Sequence, residues 1–218
     1  MKLRLAVLIV GLLSVTGAIR AQSYGQYYKW EITPFIGGEV GGSYPVANSS
    51  ATQADVDKVR VNNSMSFGTF IDRSFTENFQ FEFMWNANRT QTAEHDTISG
   101  QFTNAYNTDI DQFHFGALYM FRSSDKKLRP YAAAGLGFSH FENSGANANN
   151  TAFSYGVGGG VKYYMTNHIG FRGDARFVPT YENSSPQQFC DQFGNCFTAN
   201  QRNFLNRANF TGGLIIRF

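Results

Sequence analysis

Residues 78–88 read Asn-Phe-Gln-Phe-Glu-Phe-Met-Trp-Asn-Ala-Asn, and they divide cleanly by parity. Phe79, Phe81, Phe83, Trp85 and Ala87 share one face; Gln80, Glu82, Met84, Asn86 and Asn88 share the other. A helix would scatter both sets around its circumference, whereas a strand points successive side chains to opposite faces, so this segment is a two-faced strand. One such strand fits many folds, but the pattern recurs in seven further segments. These are Trp30–Gly42, Asn62–Asp72, Thr108–Phe121, Leu128–Phe141, Ala152–Met165, His168–Tyr181 and Ala208–Phe218. Most reach the roughly 9–11 residues that a tilted strand needs to cross a bilayer. Soluble strands cluster near 5–6 residues, which makes eight long ones unusual.

The connections alternate in length. Short turns are expected at Arg73–Glu77, Arg122–Lys127 and Thr166–Asn167, and long polar loops near Ser43–Val61, Arg89–Asn107, Glu142–Thr151 and Glu182–Arg207. Transmembrane barrels have this asymmetry, with short turns at one rim and long loops at the other. The fold class expected is therefore all-β, an eight-stranded antiparallel transmembrane up-and-down β-barrel. Composition agrees: 22 Phe, 11 Tyr and 22 Gly against 5 Pro suit pleated surfaces and tight bends. The mean hydropathy of −0.31 is that of a soluble chain. A barrel escapes that comparison, because each strand offers apolar side chains on one face only.

Met1-Lys2-Leu3-Arg4 is basic, Leu5 to Val15 is mostly apolar, and small and polar residues follow through Ala21. This is the order of a cleavable secretory signal peptide, and the apolar run is too short for a spanning helix. The expected division is a signal peptide over 1–21, with Ala18 and Ser23 as alternative cut sites, and one barrel domain over 22–218. Losing Lys2, Arg4 and Arg20 would take the formal charge from +2 to −1. A near-neutral domain gives no electrostatic case for nucleic acid.

The end of the sequence is more specific. Phe210, Leu214, Ile216 and Phe218 alternate up to a terminal Phe. This resembles the C-terminal strand by which the barrel-assembly machinery recognises outer-membrane clients. Arg129-Pro130-Tyr131-Ala132-Ala133-Ala134-Gly135-Leu136-Gly137 and Ile169-Gly170-Phe171-Arg172-Gly173-Asp174-Ala175-Arg176-Phe177 resemble the opacity-protein and outer-membrane-protein-A barrel family. The resemblance implies an exported protein in the outer membrane of a Gram-negative bacterium. It implies outer-membrane lipid, lipopolysaccharide and the assembly machinery as partners. That family includes adhesins and structural anchors. The peptidoglycan-binding domain of its longer members is missing from this sequence, so wall anchoring is not expected.

If the apolar faces meet lipid, the opposite parity looks inward. It carries the acids Glu31, Glu39, Asp72, Glu82 and Asp174 and the bases Arg129, Lys162, Arg172, Arg176 and Arg217. Unpaired charge in a narrow lumen is costly, so a balanced set implies an ion-pair network. Eight strands leave an interior that side chains just fill. Glycines at 135, 137, 156, 158, 160 and 213 would make room for long bases. A plugged centre is expected, with a narrow ion path as the alternative. Aromatic girdles are expected from Trp30, Tyr119, Phe121, Tyr163, Phe171 and Phe218 at the inner rim, and from Trp85, Phe138, Phe153, Phe177 and Phe210 at the outer.

Cys190 and Cys196, spaced Cys-x5-Cys in the longest loop, suit a disulfide in an exported protein better than a metal or redox pair. That loop also holds Phe189, Phe193 and Phe204 and is a candidate surface for a partner. His140 and Glu142 share a face, but Ser139 must point the other way, which removes it as a nucleophile for His140. Ser144 is the remaining candidate. His114, Asp109 and Asp111 complete no ligand set, and no metal or cofactor is expected. The function expected is a non-enzymatic integral outer-membrane protein serving envelope integrity, adhesion or recognition. The alternatives are a small-solute channel, a lipid-modifying enzyme and a soluble ligand-binding barrel.

Overall fold

The computed structural model describes residues 30–45, 56–96, 100–121, 127–144, 149–182, 187–190, 196–199 and 203–218. The expected signal peptide and its cut sites lie outside them. The strands are β1 (Trp30–Val40), β2 (Ser43–Pro45), β3 (Val56–Val61), β4 (Ser64–Ser74), β5 (Phe79–Asp96), β6 (Phe102–Met120), β7 (Leu128–Ser144), β8 (Asn150–Tyr164), β9 (Ile169–Glu182), β10 (Gln187–Cys190), β11 (Cys196–Ala199) and β12 (Asn203–Arg217).

Eight of them close a ring in the order β1-β4-β5-β6-β7-β8-β9-β12, every pairing antiparallel. Closure leaves no open edge in the ring, which is what a sheet needs where no water can satisfy its backbone. The seam joins the first and last strands: Trp30 N–H donates to the Phe218 carbonyl at 3.2 Å, and Phe218 N–H returns a bond to Trp30 at 3.1 Å. Two turns at the same rim share one construction. The Thr76 hydroxyl accepts from the amides of Asn78 (3.3 Å) and Phe79 (3.0 Å), and the Thr166 hydroxyl from those of His168 (3.2 Å) and Ile169 (3.0 Å). Both are hydroxyl-capped turns that link strands with very few residues.

The opposite rim departs from expectation. Much of the sequence assigned to long loops is strand: β5 runs to Asp96, β6 starts at Phe102, β7 reaches Ser144 and β12 starts at Asn203. β2 and β3 continue the wall above β1 and β4, with β3 pairing to the upper end of β5. These segments mix polar and apolar residues on both faces, with Phe102 and Phe204 exposed and Val61 and Leu205 buried, and so lack the one-sided apolar pattern that marks the lower strands. β-branched residues and cross-strand hydrogen bonds hold them instead, such as that between the hydroxyls of Thr92 and Thr108 at 2.8 Å.

Parity sorts the wall as its composition implies. Outward positions are apolar and exposed: Ile36 and Met65, Phe115 and Leu136, Phe153 and Val157, Phe210 and Leu214. Inward positions are buried, yet they are not uniformly polar, so apolar groups share the plugged centre with the expected ion pairs. Phe35, Phe70 and Met84 form an apolar cluster midway. Val61, Ile110, Phe141, Ala152 and Leu205 form another toward the long-strand rim. Leu118, Met120, Tyr131 and Ala133 form a third toward the short-turn rim. A narrow barrel has too little space for water beside every side chain, so apolar groups fill what the ion pairs leave.

Candidate functional site

The lumen holds one continuous ionic cluster supplied by strands distant in sequence. Lys162 on β8 uses its three donors on Glu31 Oε2 (2.7 Å), Asp72 Oδ2 (2.6 Å) and Gln80 Oε1 (2.7 Å). The second oxygen of Glu31 accepts from the Tyr164 hydroxyl at 3.0 Å and lies 3.1 Å from Arg217 Nε. Arg172 on β9 donates to Tyr131 Oη (2.8 Å), Asp72 Oδ2 (3.1 Å), Glu82 Oε2 (2.6 Å) and Asp174 Oδ2 (3.0 Å). Arg176, two pleat repeats further along β9, donates Nε to Asp174 Oδ1 at 2.7 Å and sets Nη1 2.6 Å from Glu82 Oε1. The Tyr131 hydroxyl donates to Asp174. Both guanidinium groups stack on the Phe70 ring, Arg172 at 3.7 Å from its centroid and Arg176 at 4.9 Å, which joins the ionic layer to the apolar cluster beside it.

Above these, Arg207 Nη1 donates to Glu39 Oε1 at 2.7 Å, and its Nη2 reaches Ser139 (3.2 Å) and Thr180 (3.3 Å). The Asn86 amide adds a bond to Glu39 at 3.3 Å. His114 sits inside as well, its Nε2 2.7 Å from the Ser154 hydroxyl.

Of the ten charged residues expected inside, eight join this cluster, and Glu39 forms a separate pair with Arg207 above it. Arg129 does neither: its Nη2 donates to the Glu77 carbonyl at 3.0 Å and lies at the rim. Glu39 is paired instead with Arg207, which the expected loop over 182–207 had excluded from the barrel. The β12 parity read upward from Arg217 through 215, 213, 211 and 209 arrives at Arg207, so the signal was present. Tyr131 was also missed as a partner of the ions. One of the expected glycines, Gly158, stands against a long base, and Gly160 stands against a tyrosine instead. A Cβ at Gly158 would lie 2.9 Å from Arg176 Cγ, and one at Gly160 would lie 2.7 Å from the Tyr131 hydroxyl.

Outside the wall, Asp109 and Asp111 face away from His114. Arg89 Nε is 3.5 Å from Asp109, and Trp85 Nε1 donates to Asp111 at 3.3 Å. His140 lies on the same outer face, with Nδ1 2.7 Å from the Thr151 hydroxyl and Nε2 3.6 Å from Glu142. Ser139 is inward and buried. Phe210, Leu214, Ile216 and Phe218 are all outward and exposed. Among the described residues no group of His, Cys, Asp and Glu is arranged to hold a metal ion.

Residues 10–218 match the family described as outer membrane protein beta-barrel domain. No curated protein matches the chain. Among solved structures, the chain is similar to outer membrane protein OprG from Pseudomonas aeruginosa, at 12% identity and a TM-score of 0.61 over 87% of this chain and 95% of that one. It is similar to neisserial surface protein A, at 12% identity and a TM-score of 0.55, over 89% of this chain and 100% of that one. It is also similar to outer membrane protein AlkL determined in lipid bilayers, at 15% identity and a TM-score of 0.53, over 92% of this chain and 95% of that one. At such identities the likeness is one of fold.

Proposed function

The chain belongs to the outer membrane protein beta-barrel domain family, and from that premise we propose that it is a sealed, non-enzymatic frame in the outer membrane of a Gram-negative bacterium, exported by its signal peptide. It holds its long-strand rim outside the cell for envelope integrity, adhesion or recognition. One observation carries the reading. The side chains of Lys162 and Arg172 have no exposed surface although they lie on the lumen side of the wall. A charge with no exposed surface has no water beside it, and a conducting path needs water beside its charges. The apolar clusters above and below these residues close the rest of the section.

Planar-bilayer recording tests this. The expected trace is a flat baseline at all holding potentials. Steady single-channel currents would show a porin-like small-solute path and end the sealed reading.

The non-enzymatic part rests on the outer wall. The hydroxyl beside His140 belongs to Thr151, its directly opposite neighbour on β8. The backbone around that pair is engaged in the β6–β7 and β7–β8 ladders, which supports a structural part for this cross-strand contact. Membrane lipid and lipopolysaccharide surround the outward apolar face, and the assembly machinery recognises the exposed Phe210, Leu214, Ile216 and Phe218.

In the β10–β11 hairpin the backbone register places Cys190 directly opposite Cys196, which supports a disulfide that pins this outer segment. Thiol titration of the denatured protein without reductant is expected to find no free thiol, and two after reduction.

A further inference from the structure

The seam between β1 and β12 carries a defect. Its register is continuous, yet the paired residues skip from Ile32↔Ile216 to Phe35↔Gly213, leaving out Thr33 and Pro34. Trp30 and Phe218 exchange both of their backbone bonds. In an antiparallel ladder every second pair does so, which makes Pro34 and Leu214 a bonding pair two steps further along. Proline has no N–H to give. The Leu214 carbonyl therefore has no ladder donor from β1, at mid-height in the apolar wall. A bare acceptor in hydrocarbon is costly.

The same place is a notch of about 420 Å³ on the outside of the barrel. Pro34, Leu214, Ile36 and Phe171 wall it, and Gly212 floors it. Gly212 pairs across the sheet with Gly173, which is also outward. A Cβ at either glycine would meet nothing within 4 Å. Two adjacent outward positions are thus bare backbone, ringed by exposed apolar side chains.

We propose that this notch binds a hydroxyl-bearing acyl chain of a membrane lipid, whose hydroxyl donates to the Leu214 carbonyl while its methylenes lie over Gly212 and Gly173. Both halves of that chemistry are required by the site. Apart from Arg172, whose side chain is turned into the lumen with no exposed surface, the lining is apolar, and it lies on the outward face of the wall, so the occupant is an aliphatic chain. The unmet acceptor selects, among such chains, one that carries a donor. This site lies on the outside of the wall and is independent of whether the lumen conducts.

The test uses the chain folded in dodecylphosphocholine micelles with its leucine carbonyls labelled with ¹³C. It is titrated with two lysophosphatidylcholines that differ only in one hydroxyl, 3-hydroxymyristoyl and myristoyl. The hydroxylated probe is expected to bind about fivefold more tightly, the return on one hydrogen bond, and to shift the Leu214 carbonyl resonance. Pro34→Ala restores the missing N–H, so the two probes are expected to bind that variant equally. Gly212→Leu fills the notch, and both probes are expected to lose binding there. Equal binding of the two probes to the unaltered protein would overturn the proposal. So would a preference that survives Pro34→Ala, or cross-linking that shows a second copy of the barrel seated on Gly212.

Discussion

Replacing Lys162 with methionine is expected to destabilise the folded barrel by about 3–5 kcal/mol, the cost of removing one partner from a buried ion pair. The ammonium supplies hydrogen bonds of 2.6–2.7 Å to Glu31, Asp72 and Gln80, and its side chain has no exposed surface. Methionine fills a similar volume, so the loss is electrostatic rather than one of packing. Glu31 keeps Tyr164 and Arg217, and Asp72 keeps Arg172, so each carboxylate stays partly compensated. That sets the loss at the scale of one broken pair and not of a collapsed core. Urea titration of the barrel folded in lipid vesicles measures it, with heat-dependent gel mobility as a check on closure. Adding Asp72→Asn to Lys162→Met removes one charge of each sign and leaves Arg172 on Glu82 and Asp174, so it is expected to recover most of the loss, because an absent ion pair costs less than half of one. A single variant as stable as the parent would mean that water reaches Lys162, and the sealed lumen would fall with it.

The eight strands and their inward parity were legible because a period of two is written directly into residues such as Phe79–Asn88, and because one slip of register would invert every side chain. What the pattern hid has physical reasons. The upper ends of β5, β6, β7 and β12 stand above the apolar band, so neither face needs to be greasy and alternation disappears at about Arg89, Glu142 and Arg207. With that boundary misplaced, Arg207 was read as loop and Glu39 lost its partner. Arg129 failed in the opposite way: its parity is inward, but it lies at the rim, where the Glu77 carbonyl is nearer than any acid. Phe35, Phe70 and Met84 are inward apolar residues in strands whose inward face is otherwise polar. Parity places them in the lumen but cannot say that they gather beneath Arg172 and Arg176. The notch at Pro34 was invisible for a related reason. It depends on which residue of β12 stands opposite Pro34, and that pairing joins the two ends of the chain.

The outward face yields the second large effect. Val157 is 46% exposed, midway along the outward row of β8, between Phe153 and Tyr163. On a soluble protein, an arginine at so exposed a strand position changes stability by no more than about 0.5 kcal/mol. On a lipid-facing wall the same substitution places a guanidinium in hydrocarbon and costs about 2–4 kcal/mol near the midplane. Val157→Arg is therefore expected to lower the unfolding free energy in vesicles by that larger amount. Ser144→Arg, at the top of β7 above the apolar band, is expected to change it by less than about 0.5 kcal/mol. The comparison works because both sites are exposed and neither contributes to the ion cluster, so only the surrounding medium differs. Thickening the bilayer moves the nearest water away from Val157 but leaves Ser144 in water, and the gap between the two variants should widen with acyl length. If both substitutions were equally mild, the medium around β8 would be water. The outward rows of Phe, Leu and Val would then need another partner to cover them.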